Sequence, residues 1–194
     1  MVYVLDYEPA GSSYPRADLV EGRRDFIPED PTPDGGAFIY DPASGRRVKP
    51  ESVARVIRRY TKRKLLDYEN QFVGSVSARF RDLIEEIEPG VHQFLPLRVI
   101  GKDDELLEDR WTWIICNRLD SVDRERSTGE LDRRVYGARK GVPFRLVFSL
   151  EAIGRAKFWR DKHYSIGRLA TDEVKERLVA ERITGVRFIH QEQA

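Results

Sequence analysis

The stretch "RWTWIIC", from Arg110 to Cys116, most narrows what this chain can become. In an extended strand alternate side chains share a face, so Trp111, Trp113 and Ile115 point one way and Thr112, Ile114 and Cys116 the other. Both faces are apolar through the middle, the pattern of a central strand covered on each side. At 194 residues, 40% of them hydrophobic, the chain can supply such cover within one domain. A reactive cysteine needs a cationic, partly exposed setting, whereas Cys116 follows two isoleucines. The spacing therefore predicts that Cys116 is a small buried hydrophobe and that the whole stretch is core.

Around it the chain alternates helical and extended signals. "VYVLDY" (Val2 to Tyr7) is a short strand stopped by Pro9, Gly11 and two serines, and "DFIPEDPTPDGG" from Asp25 is a surface loop. "AFIYD" is a candidate brief strand. "ESVARVIRRYTKRKLLDYENQF" fits either period, and its β-branched residues favour a strand followed by a loop. Ser77 can cap a helix whose buried face is Phe80, Leu83, Ile84 and Ile87, ended by "EPG" with Gly90 at positive φ. "VHQFLPLRVI" then reads as a strand in which Pro96 marks an edge or bulge, and the polar loop "GKDDELLED" leads to an antiparallel partner. A second unit of cap, helix, glycine and strand runs from Thr171 through Val174 and Leu178 to Gly185 and "VRFIH". Between the two units lie an arginine-rich polar loop (about Ser121 to Gly141), the strand "FRLVFSL" and a short helix over "EAIGRAKFWRD". The expected class is α+β, a largely antiparallel sheet with two main helices packed against it. One domain spans residues 1–194, loop-rich over 1–72, with the helix and sheet core in 73–194.

Chemical motifs find little support. Three histidines, His92, His163 and His190, lack the close spacing of zinc ligands, and no cysteine pair assists them. Asp161 stands two residues before His163, a possible acid–base pair, but such pairs are common by chance in charged loops and a solvated loop is favoured. His92, beside a strand start, suits a structural hydrogen bond. No phosphate-binding glycine loop, dinucleotide fingerprint or "GxSxG" nucleophile turn is present. Neither catalytic residues nor cofactor or metal ligands are assigned.

Charge narrows the partners. With 34 basic and 33 acidic side chains the formal net charge is +1, which argues against nucleic acid or an anionic membrane as partner. The basic run Arg55, Arg58, Arg59, Lys62, Arg63 and Lys64, with Tyr60 inside it, could engage phosphates, but acidic residues return at once in "DYEN". One solvated basic face is the better reading. A single cysteine and an N-terminus carrying Asp6 and Glu8 suggest a cytoplasmic protein without signal peptide or membrane span. The first helix places Arg79 and Arg81 at its start and Glu85, Glu86 and Glu88 at its end, against the helix dipole at both termini. Either a neighbouring arginine neutralises that acidic end or a partner does. A second acidic cluster, Asp103, Asp104, Glu105, Glu108 and Asp109, lies in the hairpin loop.

Several segments in one order, "YVLDYEP", "VSARFRDLIEEIEPGVHQFLPLRV", "RLDSVD", "VFSLEAIGRAKFWRD" and "TDEVKERLVAERITGVRFI", resemble the bacterial polymorphic-toxin immunity family numbered eleven. The likeness covers most of the chain and is weakest before Val73; its motifs are packing signatures. It implies a cytoplasmic, non-enzymatic antitoxin whose partner is a cognate toxin protein. Candidate contacts are Glu85, Glu86, Glu88, the Asp103–Asp109 cluster, and Trp159 with Arg160. The alternatives are a nucleic-acid-binding protein using the 55–64 run and an uncharacterised enzyme.

Overall fold

The computed structural model describes residues 1–8, 17–38, 40–41, 44–60, 64–70, 74–164 and 167–193. In chain order, its first half holds β1 (Val2–Tyr7), β2 (Ala17–Gly22), β3 (Ala54–Arg59), β4 (Tyr68–Glu69), β5 (Ser75–Val76), α1 (Ala78–Ile87) and β6 (Gln93–Ile100). Then come β7 (Leu106–Ile114), β8 (Arg118–Leu119), β9 (Glu130–Asp132), β10 (Val135–Gly137), β11 (Val147–Phe148) and α2 (Leu150–Ile153). The chain closes with β12 (Phe158–Asp161), β13 (Arg168–Thr171), α3 (Asp172–Ala180) and β14 (Val186–Gln193).

These strands make two six-stranded sheets, ordered β11-β14-β1-β13-β12-β8 and β2-β3-β6-β7-β5-β4, and a separate β9–β10 hairpin. Most pairings are antiparallel; β3–β6, β8–β12 and β11–β14 are parallel. The expectation of a mainly antiparallel sheet with helices is met in part. There are two large sheets rather than one, and the helices are small: ten residues in α1, nine in α3, four in α2. Two-residue strands such as β4, β5 and β8 are too short to produce a periodic signal in the sequence.

The central-strand reading of "RWTWIIC" holds. β7 lies between β6 and β5. Trp113 and Ile115 enter a core cluster with Phe80, Leu83 and Ile84 of α1, Val174 and Leu178 of α3, and Leu5, Tyr7 and Phe158 of the first sheet. Ile114 faces the other way, with Cys116 packed beside it, onto Phe26, Val48 and Val53. The 25–36 segment is thus not wholly surface, since Phe26 is buried as part of that cover. Gln93 clamps the cover down, accepting the Val48 N–H and donating to the Val48 carbonyl, both at 2.9 Å. The outer face of the first sheet is covered by the segment between β8 and β12, whose Val122, Tyr136, Leu146, Phe148 and Ile153 pack on Val2, Val4, Trp159 and Leu169.

Local signals fare unevenly. Ser77 caps α1, its hydroxyl accepting the Phe80 N–H at 3.2 Å, and Gly90 takes φ +68. Thr171 precedes α3 but its buried hydroxyl makes no capping bond. α3 ends at Ala180, short of the stop expected at Gly185; Arg182, at φ 53, and Gly185, at φ 86, both take left-handed angles after it. Gly185 also serves a close approach: a Cβ there would lie 2.1 Å from the Tyr68 carbonyl oxygen. Pro96 lies inside β6 with no bulge; β3 joins β6 only at Arg98–Ile100, so Pro96 has a ladder neighbour on the β7 side alone. "AFIYD" forms no strand among its described residues, and Ile39 lies outside them, as do Pro9, Gly11 and the serines after β1. Far from being peripheral, β1 sits between β13 and β14.

Because β1, both longer helices and strands of both sheets share one cluster, we propose that the chain unfolds as a single unit. Phe158→Ala removes a fully buried ring that meets Trp113 edge-on at 5.2 Å. It should cost about 3–5 kcal/mol in urea unfolding, with one transition retained; a separate early transition for residues 1–72 would contradict the single unit.

Candidate functional site

The acidic end of α1 is not a uniform surface. Glu88 caps the helix C-terminus and is buried. Its Oε2 accepts the His92 Nε2–H at 2.9 Å and the Phe158 N–H at 2.9 Å, and its Oε1 accepts the Lys157 N–H at 2.8 Å and Asn117 Nδ2 at 3.2 Å. The His92 tautomer follows from its other nitrogen, which accepts the Cys116 N–H at 3.3 Å. His92 is thus the structural hydrogen-bonding residue expected. Burial pushes the Glu88 pKa up, and hydrogen bonds from His92, Lys157 and Phe158 more than reverse that, so it lies below the ordinary glutamate value. A carboxylate so engaged cannot meet a partner, which removes Glu88 from the candidate interface. Of the other charges set against the helix dipole, Glu86 and Arg81 have tertiary partners and Glu85 a local one. Glu86 pairs with Arg177 of α3 at 3.0 Å, Glu85 accepts the Gly90 N–H at 3.1 Å, and the Arg81 guanidinium lies 4.0 Å over the Trp111 ring.

Trp159 and Arg160 are likewise internal. The helix expected over 151–161 is only the four-residue α2, and both residues lie in β12. Trp159 is fully buried and donates its indole N–H to the Ser121 hydroxyl at 3.0 Å. Arg160 donates to the Gly167 carbonyl, and burial pulls its pKa down to about 9, still protonated at neutral pH. Neither offers a contact surface.

Asp161 and His163 are buried rather than solvated, and they do not form an acid–base pair. Asp161 accepts the Ser121 N–H at 2.7 Å, the Ser121 hydroxyl at 2.8 Å and the backbone N–H of His163 at 2.8 Å. The imidazole turns elsewhere: Nδ1 lies 2.9 Å from the Arg134 carbonyl, to which it can only donate, and Nε2 lies 3.8 Å from Asp120. Cys116 is half-buried rather than buried as expected, packing at the edge of the Phe26–Val48–Val53 cluster, and desolvation pushes its thiol pKa up to about 11.

The second acidic cluster divides between the β6–β7 turn and β7, which begins earlier than the sequence suggests, at Leu106. Arginines already meet three of its five members: Arg58 pairs with Asp104, Arg110 with Glu108 at 3.1 Å and Arg98 with Asp109 at 4.0 Å. Asp103 and Glu105 remain exposed at the turn, where Tyr60, Leu106 and Leu107 are also exposed. The basic run is broken up in the same manner. Arg55 pairs with Glu21 at 2.8 Å, and Arg59 is buried 3.8 Å from Glu69. Lys62 and Arg63 lie outside the described residues.

One polar feature was hidden in the arginine-rich loop. Asp132 pairs with Val135 across a two-residue turn, so Arg133 and Arg134 form the tip of the β9–β10 hairpin, at φ 45 and 74. Two-residue turns with both central residues at positive φ suit Asn-Gly, and each arginine there costs about 1 kcal/mol or more. "LDRRVYG" puts arginine at both central positions, where Asn, Asp or Gly is usual, which is why the turn was not legible. The hairpin is anchored at its base by buried Tyr136, whose N–H donates to the His163 carbonyl at 2.9 Å, and by the His163–Arg134 bond.

The polar groups that distinguish the molecule therefore divide into an internal brace and an outward, charge-laced surface. Comparison with known proteins places the chain in a class, that of immunity proteins. The chain belongs to the Immunity protein family (Imm11), whose model matches residues 15–193. No curated protein matches it significantly.

Two outcomes follow from this geometry. Protonating Glu88 must break its bonds, so its contribution is complete above the ordinary glutamate value of 4.5 and is lost as pH falls through its lowered folded value. Glu88→Gln should lose about 2–3 kcal/mol at pH 7 and flatten the acid arm of the urea midpoint below pH 4.5; an unchanged arm would show that another group carries it. In the folded protein Cys116 should resist iodoacetamide at pH 8 and react at the rate of an ordinary thiol once urea unfolds the chain.

Proposed function

We propose that this protein is the antitoxin of a polymorphic toxin system, a cytoplasmic, non-enzymatic inhibitor that neutralises a cognate toxin domain by covering or distorting its active site. The observation that carries this reading is the family match over residues 15–193. The side chains most suited to chemistry support it: His92, Asp161, His163 and Cys116 are all engaged in holding the fold. A stable neutralising complex needs an interface of about 1,200–2,000 Å². Glu85, Glu86, Asp103, Glu105 and Asp109 are proposed as acidic contacts, with Asp103 and Glu105 foremost because, among the described residues, no arginine pairs with them. Such charges act mainly on the rate of encounter with a basic surface.

The test is co-expression with the toxin domain encoded beside this chain. Growth should be rescued and the two proteins should co-purify. Failure of both rescue and co-purification would end the antitoxin reading. Asp103→Lys with Glu105→Lys should slow association several-fold at low salt, with little change in dissociation; an unchanged rate would remove the β6–β7 turn from the interface.

A further inference from the structure

The β9–β10 hairpin presents at its turn two adjacent exposed arginines, Arg133 and Arg134, that no ion pair among the described residues compensates. Around its base the arginines are neutralised one by one: Arg124 by Asp120 at 3.0 Å, Arg126 by Asp123 at 3.7 Å, Arg139 by Glu130 at 3.3 Å and Arg145 by Glu192 at 2.8 Å. Arg133, Arg134 and Lys140 are exposed and have no acidic partner among the described residues. Two of these cations form the turn itself and Lys140 follows the end of β10, a short group rather than a long track. Exposed apolar side chains occur in the hairpin and in the segment that follows it: Leu131 of β9 is 37% exposed, and Val142 and Phe144, whose segment packs by Thr128 and Gly129 just before β9, are 40% and 42% exposed. Arginine beside aromatic and aliphatic anchors is the composition of a protein–protein hot spot. A phosphate backbone would call for a longer array of cations.

Backbone strain and bracing point the same way. Both tip residues hold left-handed φ angles that glycine or asparagine would adopt more easily, so local stability does not explain their identity. Behind the tip, the His163 imidazole holds the Arg134 carbonyl, and Asp161 holds the His163 backbone N–H. A side-chain pair on a rigid, pre-braced turn loses little freedom when it binds.

We infer that this hairpin is a docking finger, with Arg133 and Arg134 entering a carboxylate-lined cleft of the partner protein. The inference deepens the antitoxin reading and rests on it. Carboxylates are the matching chemistry, since guanidinium groups pair with them in a fork and gain most where water is excluded. His163 is a positioning residue for the finger.

The experiment uses the full chain and the toxin domain encoded beside it. In the double variant Arg133→Asn with Arg134→Gly, the turn receives the residues its φ angles favour while both guanidiniums disappear. Its thermal midpoint should rise or stay level, and its affinity for the toxin should fall at least tenfold, with a weaker salt dependence. His163→Asn, which can still donate to the Arg134 carbonyl, should retain more affinity than His163→Ala at matched stability. Unchanged affinity in the double variant overturns the finger while leaving the antitoxin reading intact. If the unaltered protein neither binds nor rescues, both fall. If it instead binds a 20-base-pair RNA or DNA duplex and the double variant does not, the partner is nucleic acid and the proposal of an acidic protein cleft is overturned.

Discussion

A single buried carboxylate joins the parts of this molecule that the chain itself keeps far apart. Glu88 ends α1, yet its oxygens bond the N–H groups that open β12 in the first sheet, and side chains that flank β6 and β7 in the second. An ionised carboxylate without partners would be very costly at that depth. With four donors converging on it, the same charge fixes where the helix stops and how the sheets meet. The aromatic contacts around it depend on that placement: His92, Trp113 and Phe158 meet edge-on at centroid distances of 5.2–6.2 Å.

The second brace works on the other side of the first sheet. Asp161 at the end of β12 binds Ser121, whose hydroxyl also takes the Trp159 indole N–H, and through the His163 backbone it sets the imidazole that holds the β9–β10 hairpin. Groups that look catalytic in the sequence thus become a relay of structural hydrogen bonds from the core to an exposed turn. Buried networks of this kind favour one conformation when every member is satisfied. The rigidity they confer is felt where the hairpin leaves the surface.

What could be read from the chain was whatever depends on near neighbours. The two-faced "RWTWIIC", the Ser77 cap, the buried face of α1 and the positive φ of Gly90 are all local, and all are present. What could not be read depends on partners remote in sequence. Glu88 looked like a charge set against a helix dipole because Lys157 and Phe158 lie about seventy residues away. Trp159 looked amphipathic at helical spacing because nothing local reveals that β13 pairs with β12 there. Of the candidate contacts, Glu88, Trp159 and Arg160 face inward, whereas Glu86, Asp103, Glu105 and Asp109 are exposed. The arginine turn escaped notice because its residues contradict its conformation.

That contradiction is informative because of the charge balance. With 34 basic and 33 acidic side chains, net charge conveys almost nothing about partners. Once the ion pairs are drawn, many of these charges cancel within a few ångströms, on β3 against β2 and the β6–β7 turn, and on α1 against α3. Local cancellation lowers the long-range field and leaves the surface's selectivity to the groups that escape it. Arg133 and Arg134, two cations that escape it, form a turn with two left-handed non-glycine residues above a buried brace, in a hairpin that also exposes Leu131. A balanced protein can therefore carry a strongly directional surface, and its direction is set by which charges the fold leaves unanswered.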